Sequence, residues 1–130
     1  MTDQKLVLVV EDDPTFRMLL QEVLTLWGYR VILCGDGEEG VQTFARHVDR
    51  IHAVLLDMIM PKKSGKQTFQ EIRDMDATAN VIILTGYSME STVEALLDDG
   101  AIGLLHKPFE ISDLHALMQS ISPAPHSEIK

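Results

Sequence analysis

The chain has 130 residues, 45% of them apolar and 24% charged, with a formal net charge of -9 at pH 7. That size supports one domain, able to bury roughly two thirds of its unfolded surface without a disulfide or a structural metal. The charge works against general binding to DNA phosphates or an anionic membrane surface, the single cysteine, Cys34, excludes an internal disulfide, and no apolar run approaches the ~20 residues of a membrane helix.

In chain order, Leu6–Val10 is a continuous apolar run rich in β-branched residues, the pattern of a strand buried on both faces. Glu11-Asp12-Asp13 follows it. Pro14 suits the first turn of a helix, and Thr15–Trp27 sets Phe16, Leu19, Leu20, Val23 and Leu26 at spacings that predict one apolar face. Gly28 ends that helix. Arg30–Cys34 reads as the second strand, and Glu38–His47 as the second helix with Val41, Phe44 and Ala45 turned inward. Ala53–Leu56 is the third strand, with Asp57 directly after it. Lys66–Met75 is a third helix after Gly65. Val81–Leu84 is the fourth strand, followed by Thr85-Gly86, and Met89–Asp99 a fourth helix stopped by Gly100. Gly103–Leu105 is a weaker fifth strand, followed by His106-Lys107-Pro108. Ser112–Ile121 is the last helix, with Ser112 as its expected N-cap and Leu114, Leu117, Met118 and Ile121 inward. The Ser- and Pro-rich run after Ile121 reads as a tail. We therefore expect a domain at residues 1–122 and a flexible tail or linker stub at 123–130, with no effector domain after it. With no signal peptide in view, a cytoplasmic location is the expectation.

Strands alternating with helices imply an α/β fold with a parallel sheet covered on both faces. In such open sheets ligands bind beyond the carboxyl ends of the strands. Glu11, Asp12, Asp57, Thr85 and Lys107 all fall there. Crowded carboxylates resist ionisation unless a cation relieves them. A hard, oxygen-only donor set suits Mg²⁺, with Mn²⁺ as a substitute, whereas the cysteine and five histidines show no zinc spacing. An aspartate beside a lysine and a hydroxyl also suits phosphoryl transfer, since Asp forms acyl phosphates and the developing charge needs cationic partners. Taken singly, each of these residues has an ordinary reading: helix-start carboxylates, a turn aspartate, a strand threonine, a surface lysine. Only the combination points to a site. Outside it, His106 is expected at an exposed edge and Cys34 in the core. Trp27 and the seven methionines are expected in packing, and Lys62 and Lys63 form a solvated basic pair.

The segments LVLVVEDDP (6–14), LLDMIMPKKSG (55–65), VIILTGYS (81–88) and LLHKPF (104–109) resemble, in this order, the receiver domain of two-component response regulators. The resemblance covers roughly residues 5–121. It implies a doubly wound, flavodoxin-like (βα)5 sandwich with a five-stranded parallel sheet in order 2-1-3-4-5. It also implies phosphorylation of Asp57 by a sensor histidine kinase or a histidine phosphotransfer protein, in a Mg²⁺-dependent reaction. In its terms Asp12 is a direct metal ligand, Glu11 acts through water, and Ile59 adds a backbone carbonyl. Thr85 matches the switch hydroxyl, Lys107 the phosphate-contacting lysine, and Lys107–Pro108 a frequent cis bond. Asp13 falls to helix capping or an outer shell. Leu104 departs from the pattern, standing where many members carry Tyr or Phe. Ile59 and Tyr87 occupy positions that control water access in the family and imply slow hydrolysis. DMIMPKKSG and TGYS also resemble the C-terminal receivers of hybrid sensor kinases.

A second class would be a phosphatase of the haloacid dehalogenase type, which needs an aspartate two residues beyond the nucleophile. Ile59 stands there, so the chain is expected not to be an enzyme, beyond promoting its own phosphorylation and slow autodephosphorylation. A flavin module would need a Ser-, Thr- or Gly-rich loop where Glu11-Asp12-Asp13 stands. A phosphorylation-independent interaction domain is kept open by Leu104. The expected partners are the phosphodonor and an unidentified downstream protein, with no nucleic acid bound and no membrane insertion. Homodimerisation through helix 4, strand 5 and helix 5 stays open.

Overall fold

The computed structural model describes residues 4–60, 62–86 and 90–121, the side chains of 90–93 aside. Strands and helices alternate five times: β1 (Leu6–Val10), α1 (Pro14–Leu26), β2 (Arg30–Cys34), α2 (Gly37–Arg46), β3 (Ile51–Asp57), α3 (Gly65–Met75), β4 (Val81–Thr85), α4 (Glu90–Asp98), β5 (Gly103–His106) and α5 (Ile111–Ser120). All neighbouring strands pair in parallel, in the order β2-β1-β3-β4-β5. The doubly wound fold read from the sequence is the one observed.

The apolar runs are continuous because each strand feeds two cores. In β1, Val7 and Val9 face Leu20 and Leu24 of α1 and Leu114 and Met118 of α5. Leu8 and Val10 face Phe44 of α2, Phe69 and Ile72 of α3 and Leu96 of α4. Successive side chains of a strand point to opposite faces, so both sets must be apolar when helices cover both sides. Among the described residues, three helices begin on side-chain caps: Asp13 accepts from the Thr15 amide at 3.0 Å, Asp36 from Glu39 at 2.8 Å and Ser64 from Gln67 at 3.1 Å. Gly28 and Gly100 take φ of 96° and 111°, the left-handed conformation that follows a helix end.

Several sequence expectations are corrected. Leu26 is 82% exposed and Leu19 also faces solvent, while Leu24 is fully buried, so the inward stripe of α1 runs through Leu20 and Leu24. Ala45 is exposed on α2. The last helix starts at Ile111, one residue before the expected cap Ser112, and Glu110 at the cap position makes no side-chain cap bond. Met58 and Met118 are core residues, but Met18 and Met75 are exposed. Strands 3, 4 and 5 run on to include Asp57, Thr85 and His106, because ladder pairing continues past the apolar run. Tyr87, the expected helix start at Met89 and the tail at 123–130 lie outside the described residues. Among the described residues no helix is long and apolar enough to cross a membrane.

Leu24→Ala is expected to cost about 2–5 kcal/mol, since it leaves a cavity between α1 and the sheet. Leu26→Ala should stay within about 0.5 kcal/mol. Urea unfolding of both variants checks the reassigned face.

Candidate functional site

The order of the strands places the site. β1 is flanked by β2 on one side and β3 on the other, so the connections diverge there and leave a crevice beyond the carboxyl ends of β1 and β3. Glu11 follows β1, and Asp57 is the last residue of β3. Carboxylate oxygens of Glu11, Asp12 and Asp57 lie within 4.8 Å of one another. Glu11 is fully buried, Asp57 is 5% exposed, and Asp12 is open to solvent.

Backbone and side-chain bonds fix each member. The Glu11 amide donates to Cys34 O of β2 at 3.0 Å. Arg17, on the first turns of α1, donates through Nη1 to the Glu11 carbonyl at 2.8 Å. The Asp13 amide donates to Glu11 Oε2 at 3.1 Å, and Asp13 itself caps α1. Asp13 is thus the capping residue, as expected. The Ile59 amide lies close enough to the Asp57 carboxylate to favour its ionised form, and Ile59 is 49% exposed.

Lys107 enters from the end of β5. Its Nζ lies 2.8 Å from Glu11 Oε1 and 3.5 Å from Asp57 Oδ1. Its backbone amide donates to Thr85 O at 2.7 Å, tying the ends of β4 and β5 together. Thr85 is fully buried at the end of β4, in register with His106, which is exposed. The Lys107–Pro108 peptide is cis.

The electrostatics follow from burial. Desolvation and then the Glu11 charge push the Asp57 carboxyl up to about 6, with Asp12 adding to the rise and Lys107 and the Ile59 amide opposing it. Burial alone would lower the Lys107 ammonium, but its bond to Glu11 and the charge of Asp57 hold it above the usual lysine range. One ammonium therefore contacts two of the three clustered carboxylates, Glu11 and Asp57. Three oxygen donors with one net uncompensated charge or more fit a hard divalent cation of the Mg²⁺ kind.

The structure brings Glu11, Asp12, Asp57 and Lys107 into one cluster, with Thr85 and the Ile59 backbone adjoining it. Two residues near the cluster have contacts other than those the sequence suggested. Phe16 was read as packing alone, yet Lys107 Nζ sits 4.7 Å over its ring, and that ring packs edge-on against Phe109 at 5.5 Å. Its place five residues after Glu11, on the first turn of α1, was the available signal. Lys63 was read as solvated, but its side chain is only 12% exposed and bonded to two glutamates.

A doubly wound sheet with an acidic, lysine-bearing site at its switch point defines the class. The response regulator receiver domain model matches residues 7–119, and the chain belongs to that family. Among curated relatives, the transcriptional regulatory protein PdtaR of Mycobacterium tuberculosis is 38% identical over 109 residues, 83% of this chain and 52% of that protein. The transcriptional regulatory protein ZraR of Escherichia coli is 32% identical over 121 residues, 93% of this chain and 27% of that protein. The chain thus spans about half, or less, of the length of these relatives. Among solved structures, the complex of CheX, CheY, BeF3 and Mg²⁺ from Borrelia burgdorferi contains a chain 30% identical to this one. It has a TM-score of 0.86, and the match covers 90% of this chain and 88% of that one. The receiver domain of sensor histidine kinase PA1611 from Pseudomonas aeruginosa, with magnesium coordinated in its active-site cleft, is 30% identical. Its TM-score is 0.81, with 91% of this chain and 97% of that one covered.

The raised Asp57 carboxyl makes a testable statement about stability. Its value is 3.8 unfolded and about 6 folded, so the folded state holds the extra proton between those values. Metal-free stability should therefore fall as pH rises from about 4 to about 7 and then level off. Asp57→Asn removes that component. Its advantage over wild type should grow across the same range to on the order of 2–3 kcal/mol, and saturating Mg²⁺ should shrink it. Thermal melts of both proteins at several pH values, with and without Mg²⁺, check this.

Proposed function

We propose that this chain is a phosphorylation-activated signalling switch that accepts a phosphoryl group on Asp57 from a phosphohistidine of a sensor kinase or phosphotransfer protein. The observation that carries the reading is the convergence of a buried strand-end aspartate, two further carboxylates and a lysine ammonium at one sheet edge. Glu11, Asp12, Asp57 and the Ile59 carbonyl are the groups that would hold Mg²⁺, or Mn²⁺ in its place. The cation, when bound, supplies positive charge that offsets the carboxylates and the incoming phosphoryl oxygens.

The chain's own residues do the rest. An oxygen of ionised Asp57 attacks phosphorus, the P–N bond of the donor breaks, and the leaving imidazole takes a proton. Lys107, already within 3.5 Å of Asp57, neutralises charge growing on the phosphoryl group. Thr85 offers its hydroxyl to a phosphoryl oxygen, which moves the ends of β4 and β5 relative to α4. The energy of those new contacts shifts a two-state equilibrium, and a difference of ~5.5 kcal/mol suffices to take it from 1:99 to 99:1. The chain acts on no outside substrate, promotes only its own phosphorylation and slow dephosphorylation, and works in the cytoplasm through a downstream protein. A second reading, a receiver segment of a hybrid sensor kinase, rests on the DMIMPKKSG and TGYS segments; the kinase receiver from Pseudomonas aeruginosa is 30% identical, the same as the chain in the Borrelia burgdorferi complex.

Intact-mass spectrometry after incubation with acetyl phosphate is the test. Wild type should gain one phosphoryl group only with Mg²⁺, Asp57→Asn should gain none, and Lys107→Ala should slow uptake by roughly 10²-fold. Uptake by folded Asp57→Asn equal to wild type would remove Asp57 from the role.

A further inference from the structure

Of the two adjacent lysines in the turn between β3 and α3, the Lys62 side chain is 68% exposed, as expected of a solvated cation, but that of Lys63 is only 12% exposed. Lys63 reaches Glu71 Oε1 of α3 at 2.6 Å and Glu38 Oε1 of α2 at 3.1 Å. The second oxygen of each glutamate is also engaged: Gln67 Nε2 donates to Glu71 Oε2 at 3.2 Å, and Gln42 Nε2 to Glu38 Oε2 at 3.1 Å. The ammonium is therefore the centre of a network joining two helices. Lys62 adopts φ of 69° and lies 3.4 Å from Asp36 Oδ2, the carboxylate that caps α2.

The opposite side of the turn is pinned against the phosphoacceptor. The Gly65 amide donates to Met58 O at 3.0 Å. A Cβ at position 65 would come within 2.5 Å of Asp57 O and Met58 Cα, so α3 starts directly against the end of β3. At Gly37 a Cβ would lie 2.7 Å from Lys63 O, so the first turn of α2 presses on the Lys63 backbone. Between these two fixed points, next but one to Asp57 in the chain, lies Ile59, whose amide is near enough to the Asp57 carboxylate to favour its charge.

We propose that Lys63 is a positioning residue for the site: by tying the turn to both α2 and α3 it holds the Ile59 backbone against Asp57. This rests on the functional reading above. A long apolar stem with one charged head is what the position requires, because the stem fills the gap between helices while the head neutralises two facing carboxylates. Without the ammonium, Glu38 and Glu71 repel across the gap and the turn is released from α2.

The test compares Lys63→Met, which keeps the stem and loses the charge, with Lys63→Arg. Lys63→Met should weaken Mg²⁺ binding roughly five- to tenfold, as loss of a group supporting metal ligands does. In metal-free protein it should also speed hydrogen exchange at the Met58 and Ile59 amides. Lys63→Arg should bring both within about twofold of wild type. Leu114→Ala, which destabilises α5 away from the turn, should move neither. If Lys63→Met does not fold, Glu71→Gln gives the same comparison. A folded Lys63→Met protein in which either readout stays at the wild-type value overturns the proposal. A wild-type chain that binds no Mg²⁺ sinks the functional reading instead, and the exchange comparison alone then decides whether Lys63 holds the turn.

Discussion

The burial of Asp57 beside Glu11 is the constraint on which the rest of the site depends. A carboxylate at the end of a strand loses most of its hydration, and a second one nearby makes ionisation harder still. Such a pair persists only where fixed positive charge and amide donors oppose the cost. Lys107 from β5, the Ile59 amide after β3 and the Asp13 amide before α1 are those opposing groups. Each comes from a different segment, so the site exists only when the sheet has closed in the order that brings β1, β3 and β5 to one edge.

That dependence explains why the scaffold is so apolar around so polar a site. Parallel pairing leaves the ends of all five strands on one side, and the two cores lock the strands from both faces. The close contact of Gly65 with Asp57 and Met58 leaves no space for a side chain at the start of α3. The start of α3 and the end of β3, which carries Asp57, are therefore in direct backbone contact.

Much of this was legible in the sequence, for physical reasons. Strands buried on both faces write themselves as unbroken apolar runs, and the residues at their carboxyl ends are read off next in the chain. What the sequence hid was orientation. Leu24 and Leu26 have the same chemistry and lie two residues apart on a helix, so only docking decides which one is buried. Ser112 has the chemistry of a cap, yet the cap position falls two residues earlier, at Glu110, which is extended and makes no side-chain cap bond. Lys63 carries no local mark of burial, since its partners sit on α2 and α3 and only the folded chain brings them to one ammonium. Phe16 was hidden in the same way, as its ring meets Lys107 across ninety residues of sequence.

Leu104 bears on how a signal leaves the site. It is half-buried, pairs in register with Ile83 and packs against the core that also receives Leu96 of α4. An aliphatic side chain there has neither a ring nor a hydroxyl to exchange between buried and exposed partners, so it cannot carry a two-position aromatic switch. The Lys107 amide bonded to Thr85 O, at 2.7 Å, joins the two strand ends on either side of that position. If Asp57 is phosphorylated as proposed, the added charge competes with Glu11 for the Lys107 ammonium, and a movement of Lys107 would act on the Thr85 backbone through that bond. On the proposed function, this main-chain and charge route acts beside the Thr85 hydroxyl contact and needs no aromatic ring at position 104.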